Sequence, residues 1–135
     1  MPVKGRTSHE RMLCKLLMEY TVYFATRTGG TAMPWADVHL YRKVPGGVWA
    51  ECIALEVKSS VKRTKYLYRR EKDQLDHYVC IAANYNIPIY YAFRLVTREV
   101  MVERKKWRFF DVRSIHDHTL KWKDGMTFER FLERL

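Results

Sequence analysis

Residues 52–58 combine an apolar run with a carboxylate and an ammonium group two positions apart. Alternate residues of a β-strand project to the same face, so Glu56 and Lys58 are expected to stand side by side. The simplest explanation is a strand that runs out into solvent and ends in an exposed ion pair, which would contribute little to stability. This stretch by itself leaves that explanation open.

Two further carboxylates, Glu10 and Asp37, allow a second interpretation, in which Glu56 and Lys58 belong to a catalytic site. Three carboxylates and a lysine on converging elements form a set suited to phosphodiester hydrolysis. Carboxylate oxygens bind Mg²⁺, which lowers the pKa of a bound water and offsets the charge of the phosphate. A nearby ammonium group orients that water or stabilises the developing negative charge. The residue types therefore allow metal-assisted hydrolysis if the fold brings them together.

The charge balance points to a polyanionic partner. The 135 residues include 25 Lys and Arg against 15 Asp and Glu, a formal net charge of +10. Such an excess favours nucleic acid, with an anionic membrane surface as the alternative. After Lys58, tyrosines are set among cations, which predicts a phosphate-contacting surface, whereas a solvated charge run is the simpler alternative. The residues of this segment are Lys62, Arg63, Lys65, Tyr66, Tyr68, Arg69 and Arg70.

Composition also excludes several classes of protein. Hydrophobic residues make up 47% of the chain and charged residues 30%, as in folded rather than disordered proteins. The apolar runs are too short to span a bilayer, and no apolar signal core follows the first residues. We therefore expect a soluble cytoplasmic protein, associated with the nucleoid and without a membrane partner.

The cysteines and histidines do not indicate a metal or disulfide framework. Cys14, Cys52 and Cys80 are odd in number, widely spaced and set among apolar residues, so we expect three buried thiols in a reducing compartment. His116-Asp117-His118 lacks further ligands nearby in sequence and is predicted to be a surface loop. No glycine-rich phosphate loop follows a strand, and no organic cofactor is expected.

The first predicted element is an amphipathic helix over residues 8–23. Thr7 and Glu10 have the spacing of a capping box, which would place Glu10 in the first turn of the helix. Residues 27–34 contain two glycines and a proline and are predicted to be a loop.

A hairpin is predicted next. Residues 36–41 and 48–57 have strand patterns and flank the turn at 45–47. Antiparallel pairing of these strands would bring Asp37, at the start of the first, close to Glu56 on the second.

The remaining pattern alternates helices and strands. We predict a second helix over 73–85 with Gln74 in its first turn, strands at 89–96 and 107–112, and a last helix over 127–135. This order suggests one α/β domain over residues 1–135, with a mixed central sheet flanked by helices.

The order of these residues resembles the PD-(D/E)XK nucleases, in which an aspartate precedes a Glu-x-Lys strand. More narrowly, the chain resembles the archaeal Holliday junction resolvases over nearly its whole length. Glu-x-Lys is common to many nucleases, whereas the N-terminal and aromatic segments narrow the resemblance to the resolvases. The matching segments are Lys4-Gly5 with Glu10-Arg11, RTGGT at 27–31, Asp37, IALEVK at 53–58, Lys62 with Tyr66-Leu67-Tyr68, Gln74, and KKWRFF at 105–110.

The resemblance implies a restriction-endonuclease-like fold and a homodimeric endonuclease that makes paired cuts in opposed strands of four-way junction DNA. It implies Mg²⁺ as cofactor, with one or two ions in each active site and Mn²⁺ as a substitute. Glu10, Asp37 and Glu56 would bind the metal, and Lys58 would act on the attacking water. Gln74 would orient the lysine or the water, unless it is simply a solvated helix residue.

The DNA contacts are also implied by the resemblance. Arg11 and Arg27 would contact phosphate near the scissile bond. Resolvases often carry a serine important for cleavage in the loop before the aspartate, and here Thr31 stands in its place. Ala36 precedes Asp37 where the broader nuclease pattern has proline. The predicted DNA-binding residues are Lys4, Arg6, Arg11, Arg27, Lys62, Arg63, Lys65, Arg69 and Arg70.

Two other functions are compatible with these residues. A different nuclease of the same superfamily would act on linear, nicked or flap DNA with the same site residues, because selectivity for branches depends on surface shape and dimer geometry. A non-catalytic basic DNA-binding protein on the same fold would be expected to lack Asp37, Glu56 or Lys58, and all three are present.

Overall fold

A computed structural model of the protein describes residues 6–27, 36–47 and 49–135, without the side chains of residues 6, 7, 49, 51 and 52. Three α-helices, seven β-strands and three short 3₁₀ turns occur in these ranges. The helices are α1 (Arg6–Tyr20), α2 (Arg70–Tyr85) and α3 (Phe128–Glu133). The strands are β1 (Phe24–Arg27), β2 (Val38–Lys43), β3 (Trp49–Ser60), β4 (Thr64–Tyr66), β5 (Ile89–Leu95), β6 (Trp107–Asp111) and β7 (Thr119–Lys121).

Five strands form a mixed sheet in the order β1-β2-β3-β5-β6. The β3–β5 pair is parallel and the other pairs are antiparallel. Apolar residues of α1 and α3 pack on one face of the sheet, and those of α2 pack on the other. The predicted α/β class, a mixed central sheet flanked by helices, is confirmed.

The predicted hairpin is formed by β2 and β3. Val38 pairs with Leu55, and the register shifts at Leu40/Tyr41. Gly46 and Gly47 both have positive φ angles in the connecting turn, a conformation that glycine adopts without a Cβ penalty. Both strands differ slightly from the predicted bounds, and Asp37 lies immediately before β2 rather than inside it.

The first helix differs from its prediction at both ends. Because α1 begins at Arg6, Thr7 lies inside the helix and Glu10 lies in its second turn, so the predicted capping box is wrong. The helix ends at Tyr20, where the Thr21 hydroxyl donates a hydrogen bond to the Leu17 carbonyl and accepts one from the Tyr23 amide. The chain then enters β1, a four-residue edge strand that includes Arg27, a residue predicted to be in a loop.

The second helix begins three residues earlier than predicted. Its first turn contains Glu71 and Asp73, where negative charge is favourable to the helix dipole. Gln74 therefore lies in the second turn. The helix ends at Tyr85, and the capping residue Asn86 adopts the left-handed conformation common at helix C-termini.

The predicted strand at 89–96 is central and is confirmed as β5, with all seven residues buried. The last helix is shorter than predicted and packs against β6, where the rings of Phe109 and Phe131 are stacked with centroids 4.1 Å apart. Thr127 caps this helix by accepting a hydrogen bond from the Arg130 amide.

A two-stranded ribbon of β4 and β7 was not predicted. Leu67 and Leu120 bury its inner side against α2 and the sheet. Of the cysteines, Cys14 is buried as predicted, Cys80 is exposed, contrary to the prediction, and the side chain of Cys52 lies outside the described part. No helix among the described residues is long and apolar enough to cross a membrane.

Candidate active site

Glu56 lies in β3, between β2 and β5, and has no solvent exposure. Its Oε1 accepts a hydrogen bond of 2.9 Å from the Tyr78 hydroxyl, and its Oε2 lies 3.4 Å from Lys58 Nζ. Burial raises the pKa of Glu56 to about 7, and Asp37 adds to the increase, whereas Lys58 and Tyr78 oppose it. Its surroundings therefore disfavour the ionised form relative to a carboxyl group in water.

Asp37 is held beside Glu56 by the hairpin. Its Oδ2 accepts a hydrogen bond of 2.9 Å from the Val57 amide, across the β2–β3 pair. Its carboxyl group acts on Glu56 both through charge and through a hydrogen bond between the two side chains. The predicted proximity of Asp37 and Glu56 is thus confirmed.

Lys58 lies two residues beyond Glu56 and is almost entirely buried. Its Nζ lies 3.0 Å from Glu71 Oε2 as well as 3.4 Å from Glu56 Oε2. The same Glu71 oxygen lies 3.8 Å from Lys65 Nζ. Partial burial raises the pKa of Glu71, but Lys58 and Lys65 outweigh it and hold this pKa below its ordinary value. The two carboxylates hold the ammonium group of Lys58 at one place in the site.

Helix α2 contributes two of these contacts from a single face. Glu71 and Tyr78 are seven residues apart, two turns of helix, with Gln74 between them. Neither Glu71 nor Tyr78 was among the predicted site residues. Their spacing from Gln74 on one helix face is the feature of the sequence from which both could have been predicted. Gln74 is half-buried on this face, and its role as an orienting residue stays a prediction.

Glu10 is buried on α1, and its Oε1 lies 3.4 Å from Arg27 Nε. Arg27 pairs with Val38, the first residue of β2. The ion pair therefore lies near the start of β2, and Asp37 is the residue immediately before that strand. Among the described residues, no three His, Cys, Asp or Glu side chains gather closely enough to hold a metal ion. The structure therefore brings Asp37, Glu56 and Lys58 together but does not join Glu10 to them as a third ligand.

The chemistry of the Asp37–Glu56 pair fits a divalent cation. The hairpin holds two carboxyl groups side by side, and hard oxygen donors are the ligands that Mg²⁺ and Mn²⁺ prefer. Burial and the neighbouring Asp37 raise the pKa of Glu56 more than Lys58 and Tyr78 lower it, so a further positive charge beside the pair would favour the carboxylate. These two residues could hold a metal.

The predicted DNA-binding residues lie in different surroundings. Arg11 and Arg27 line an open groove of about 880 Å³ between α1 and β1. Arg63 contacts Glu99 and the ring of Trp122, and Lys65 contacts Glu71. Lys62, Arg69 and Arg70 are exposed. Lys4, Thr31 and the side chain of Arg6 lie outside the described part of the chain.

The histidines predicted to lie at the surface are in a loop between β6 and β7. His116 is exposed, and His118 Nε2 lies 2.8 Å from Asp76 Oδ1 on α2. This pair links the loop to the helix.

Comparison with known proteins supports a nuclease fold. No family model matches the chain, and no curated protein matches it. A solved structure, that of Hjc, a Holliday junction resolvase from the archaeal hyperthermophile Archaeoglobus fulgidus, is similar, with a TM-score of 0.59. The two chains are 25% identical, and the similarity covers 90% of this chain and 89% of that chain. The mixed five-stranded sheet with its flanking helices thus matches the fold of an archaeal Holliday junction resolvase.

Proposed function

We propose that the protein is an endonuclease that resolves four-way DNA junctions by phosphodiester hydrolysis. The observation that supports this most is the grouping of half-buried Asp37 with buried Glu56 and Lys58 at the β2–β3 hairpin. A carboxylate pair that is partly withdrawn from water beside a lysine contributes little to stability but suits hydrolytic chemistry. The similarity to a Holliday junction resolvase favours a junction as the substrate.

Asp37 and Glu56 would bind one or two Mg²⁺ ions, or Mn²⁺ in their place, with Glu10 as the proposed third ligand. The bound metal would supply Lewis acidity, lowering the pKa of a water and offsetting phosphate charge. Tyr78 holds Glu56 by donating to Oε1, and the Val57 amide holds Asp37. The chain thereby fixes both carboxylates before a ligand arrives.

Lys58 would donate a hydrogen bond to the attacking water or to the phosphate oxygen on which charge develops. Glu71 and Glu56 restrict where its ammonium group can point. Gln74, on the same face of α2, would assist this orientation. We further propose that Thr31 supplies a hydroxyl group to the cleavage reaction.

The cationic residues would hold the DNA backbone around this site. Arg11 and Arg27 would contact phosphate groups from the α1–β1 groove. The cations at 62–70, in and around β4, would contact phosphate groups on the other side of the site. The full proposed set is Lys4, Arg6, Arg11, Arg27, Lys62, Arg63, Lys65, Arg69 and Arg70.

Paired cuts in two opposed strands require two active sites, so we propose a homodimer with a two-fold axis. Its interface would not use the rings of Phe109 and Phe110, because both are buried within their own chain. Phe128 and Phe131 of α3 are buried in the same way. Sedimentation at working concentration should give a dimer, and a monomer that still makes paired cuts would contradict this part of the proposal.

Cleavage of a fixed four-way junction, compared with linear, nicked and flap DNA of the same arms, tests the proposal. In Mg²⁺ the wild-type protein should cut the junction symmetrically and in preference to the other substrates. Asp37→Asn should abolish cleavage and keep junction affinity within a fewfold, because it removes a ligand charge without changing shape. Asp117→Asn is the matched control, since Asp117 is exposed and its left-handed backbone suits asparagine.

Each alternative function predicts a different result. Equal cutting of linear DNA would indicate another nuclease of the superfamily. Junction binding without cleavage of any substrate, in either metal, would indicate a non-catalytic DNA-binding protein. Cleavage by Asp37→Asn at the wild-type rate would show that the metal site is assigned wrongly.

A further inference from the structure

Two tyrosines form an exposed aromatic surface at the end of β4. Tyr66 and Tyr68 are 55% and 66% exposed, and their ring centroids lie 6.0 Å apart with planes inclined by 31°. Leu67 between them is buried, so the two rings project together to the outer side of the ribbon. Their mutual contact leaves most of both rings in water.

The ribbon that carries these rings is held in place by contacts with the β6–β7 loop, with α2 and with Trp122. The Leu67 amide donates a hydrogen bond of 2.8 Å to the His118 carbonyl, and His118 also pairs with Asp76 of α2. The ring of Trp122, just after β7, lies under the guanidinium groups of Arg63 and Arg108, at 5.3 and 4.1 Å. A surface fixed in this way loses little conformational entropy when a ligand stacks on it.

The same segment connects the outer rings to the candidate active site. Lys65, next to Tyr66, points inward to Glu71 at 3.8 Å, and Glu71 contacts Lys58 at 3.0 Å. Lys62, Arg69 and Arg70 are exposed on either side of the tyrosines. A strand whose phosphates follow these cations would therefore have its bases beside the two rings, a short distance from Lys58.

Two exposed rings set among cations match the combination by which proteins bind unpaired nucleotides, with stacking for the base and positive charge for the backbone. An apolar protein partner would be a poor occupant, because the flanking lysine and arginines would have to be desolvated without acidic partners. Paired bases are stacked on each other and offer no free face. The surface formed by Tyr66 and Tyr68 is therefore suited to a base that is unpaired and no longer stacked within a duplex.

We propose that Tyr66 and Tyr68 form a stacking site for an unpaired nucleobase at or beside a DNA branch point. The inference rests on the proposed action on DNA, and it assigns to these tyrosines the discrimination between branched and continuous duplex. Base–aromatic stacking is tolerant of sequence, because every base has a π-face. The site therefore recognises the unstacked state of a base and not its identity.

Fluorescence of 2-aminopurine tests the proposal directly. One probe is a four-way junction with a single unpaired 2-aminopurine at the branch point, and the reference is a linear duplex with the same base fully paired. Wild-type protein should quench the unpaired probe in Ca²⁺, which prevents cleavage from disturbing the signal. Tyr66→Ala/Tyr68→Ala should abolish quenching and weaken junction binding by roughly tenfold or more, the range expected for loss of base stacking.

Two control variants give the test its specificity. Tyr66→Phe/Tyr68→Phe keeps both rings and should retain quenching and affinity. Tyr85→Ala removes a ring that is 72% exposed at the far end of α2 and should change neither. Duplex affinity should stay within twofold of wild type in all variants, because phosphate contacts are unaltered.

Failure of this inference is distinguishable from failure of the proposed function. Unchanged quenching in the double Ala variant would overturn the stacking site even if junction cleavage is normal. An equal loss of junction and duplex affinity would also overturn it, since the rings would then serve general binding. Quenching that depends on the tyrosines in a protein that cuts no DNA would support the stacking site and contradict the nuclease.

Discussion

The carboxyl group of Glu56 is surrounded by groups with opposite effects on its ionisation. Complete burial and the neighbouring Asp37 favour the protonated form, whereas Lys58 and the Tyr78 hydroxyl favour the carboxylate. Ionising a buried carboxyl group is costly without a compensating charge. A side chain kept in such an environment serves chemistry better than stability, and the Asp37–Glu56 pair is the place that we propose for a divalent cation.

At the scale of single residues, Tyr78 gives the sharpest prediction. Tyr78→Phe removes the hydrogen bond to Glu56 Oε1 and leaves the buried ring in place. Loss of a partner that orients a metal ligand typically weakens metal binding or activity about 10- to 100-fold. We expect cleavage to require a correspondingly higher Mg²⁺ concentration, measured as the concentration for half-maximal rate.

The control for this prediction is Tyr90→Phe. Tyr90 is also buried in the sheet, but its ring packs against Phe131 on the opposite face from α2. The metal dependence of Tyr90→Phe should match wild type. Equal metal dependence of Tyr78→Phe and wild type would show that the phenol does not support the ligand.

At the scale of elements, an ion pair between buried Arg94 and half-buried Glu103 ties β5 to the 3₁₀ turn before β6. Arg94 donates two hydrogen bonds of 2.8 Å to Glu103, which also accepts one of 2.9 Å from the Trp107 indole. Hydrogen bonds from Arg94 outweigh partial burial and hold the pKa of Glu103 below its ordinary value. The charged form of Glu103 is therefore the one that favours the folded state.

The pH dependence of stability follows from that direction. Because the pKa of Glu103 is lower in the folded than in the unfolded state, its ionisation stabilises the fold at pH values above the unfolded pKa, about 4.3 for glutamate. This stabilisation is lost as the pH falls through the folded pKa. Glu103→Gln should lower the free energy of unfolding by about 1–2 kcal/mol at pH 7, reduced from the full value by partial exposure. The difference from wild type should shrink below pH 4 in urea titrations. Glu99→Gln, in an exposed pair with Arg63, should cost less than about 0.5 kcal/mol at either pH.

The packing of α3 on β6 gives a prediction about the core. Phe131 is fully buried and stacks on Phe109. Phe131→Ala should reduce the free energy of unfolding by about 3–5 kcal/mol, because it removes apolar contact and leaves a cavity. Phe24→Ala makes the same substitution at a half-exposed ring on the edge strand and should cost about 1 kcal/mol or less. Similar losses for both variants in urea unfolding would contradict this account of the core.

At the scale of the whole molecule, the charge of +10 should dominate DNA affinity. Each phosphate neutralised adds about −0.9 to the slope of log K against log salt concentration. Lys62→Ala should weaken binding to junction and duplex alike and make the slope shallower by about 1. Lys43→Ala, at the turn end of the β2–β3 hairpin, should leave the slope unchanged. A slope unaffected by Lys62→Ala would remove that residue from the DNA-contacting set.

Local patterns in the sequence determined much of the site. Period-two alternation placed Glu56 and Lys58 on one face, and the glycine turn between two strand patterns placed Asp37 beside Glu56. Both relations depend on contacts between residues close in the chain, where local geometry leaves few alternatives. The central strand β5 was predictable because six of its seven residues are apolar or aromatic.

Only the tertiary structure decided which distant residues complete the site. Glu71 and Tyr78 reach Lys58 and Glu56 because α2 docks on one face of the sheet, and no local pattern specifies that docking. The ribbon of β4 and β7 joins segments more than fifty residues apart, so neither three-residue strand has enough signal in the sequence to be recognised. Glu10 illustrates the same limit, since its spacing suggested a helix cap, and packing of α1 buried it beside Arg27 instead. Pairings of this kind depend on how much surface whole elements bury against one another in the assembled fold. Sequence periodicity shows which face of a single element is apolar, but it does not show which other element covers that face.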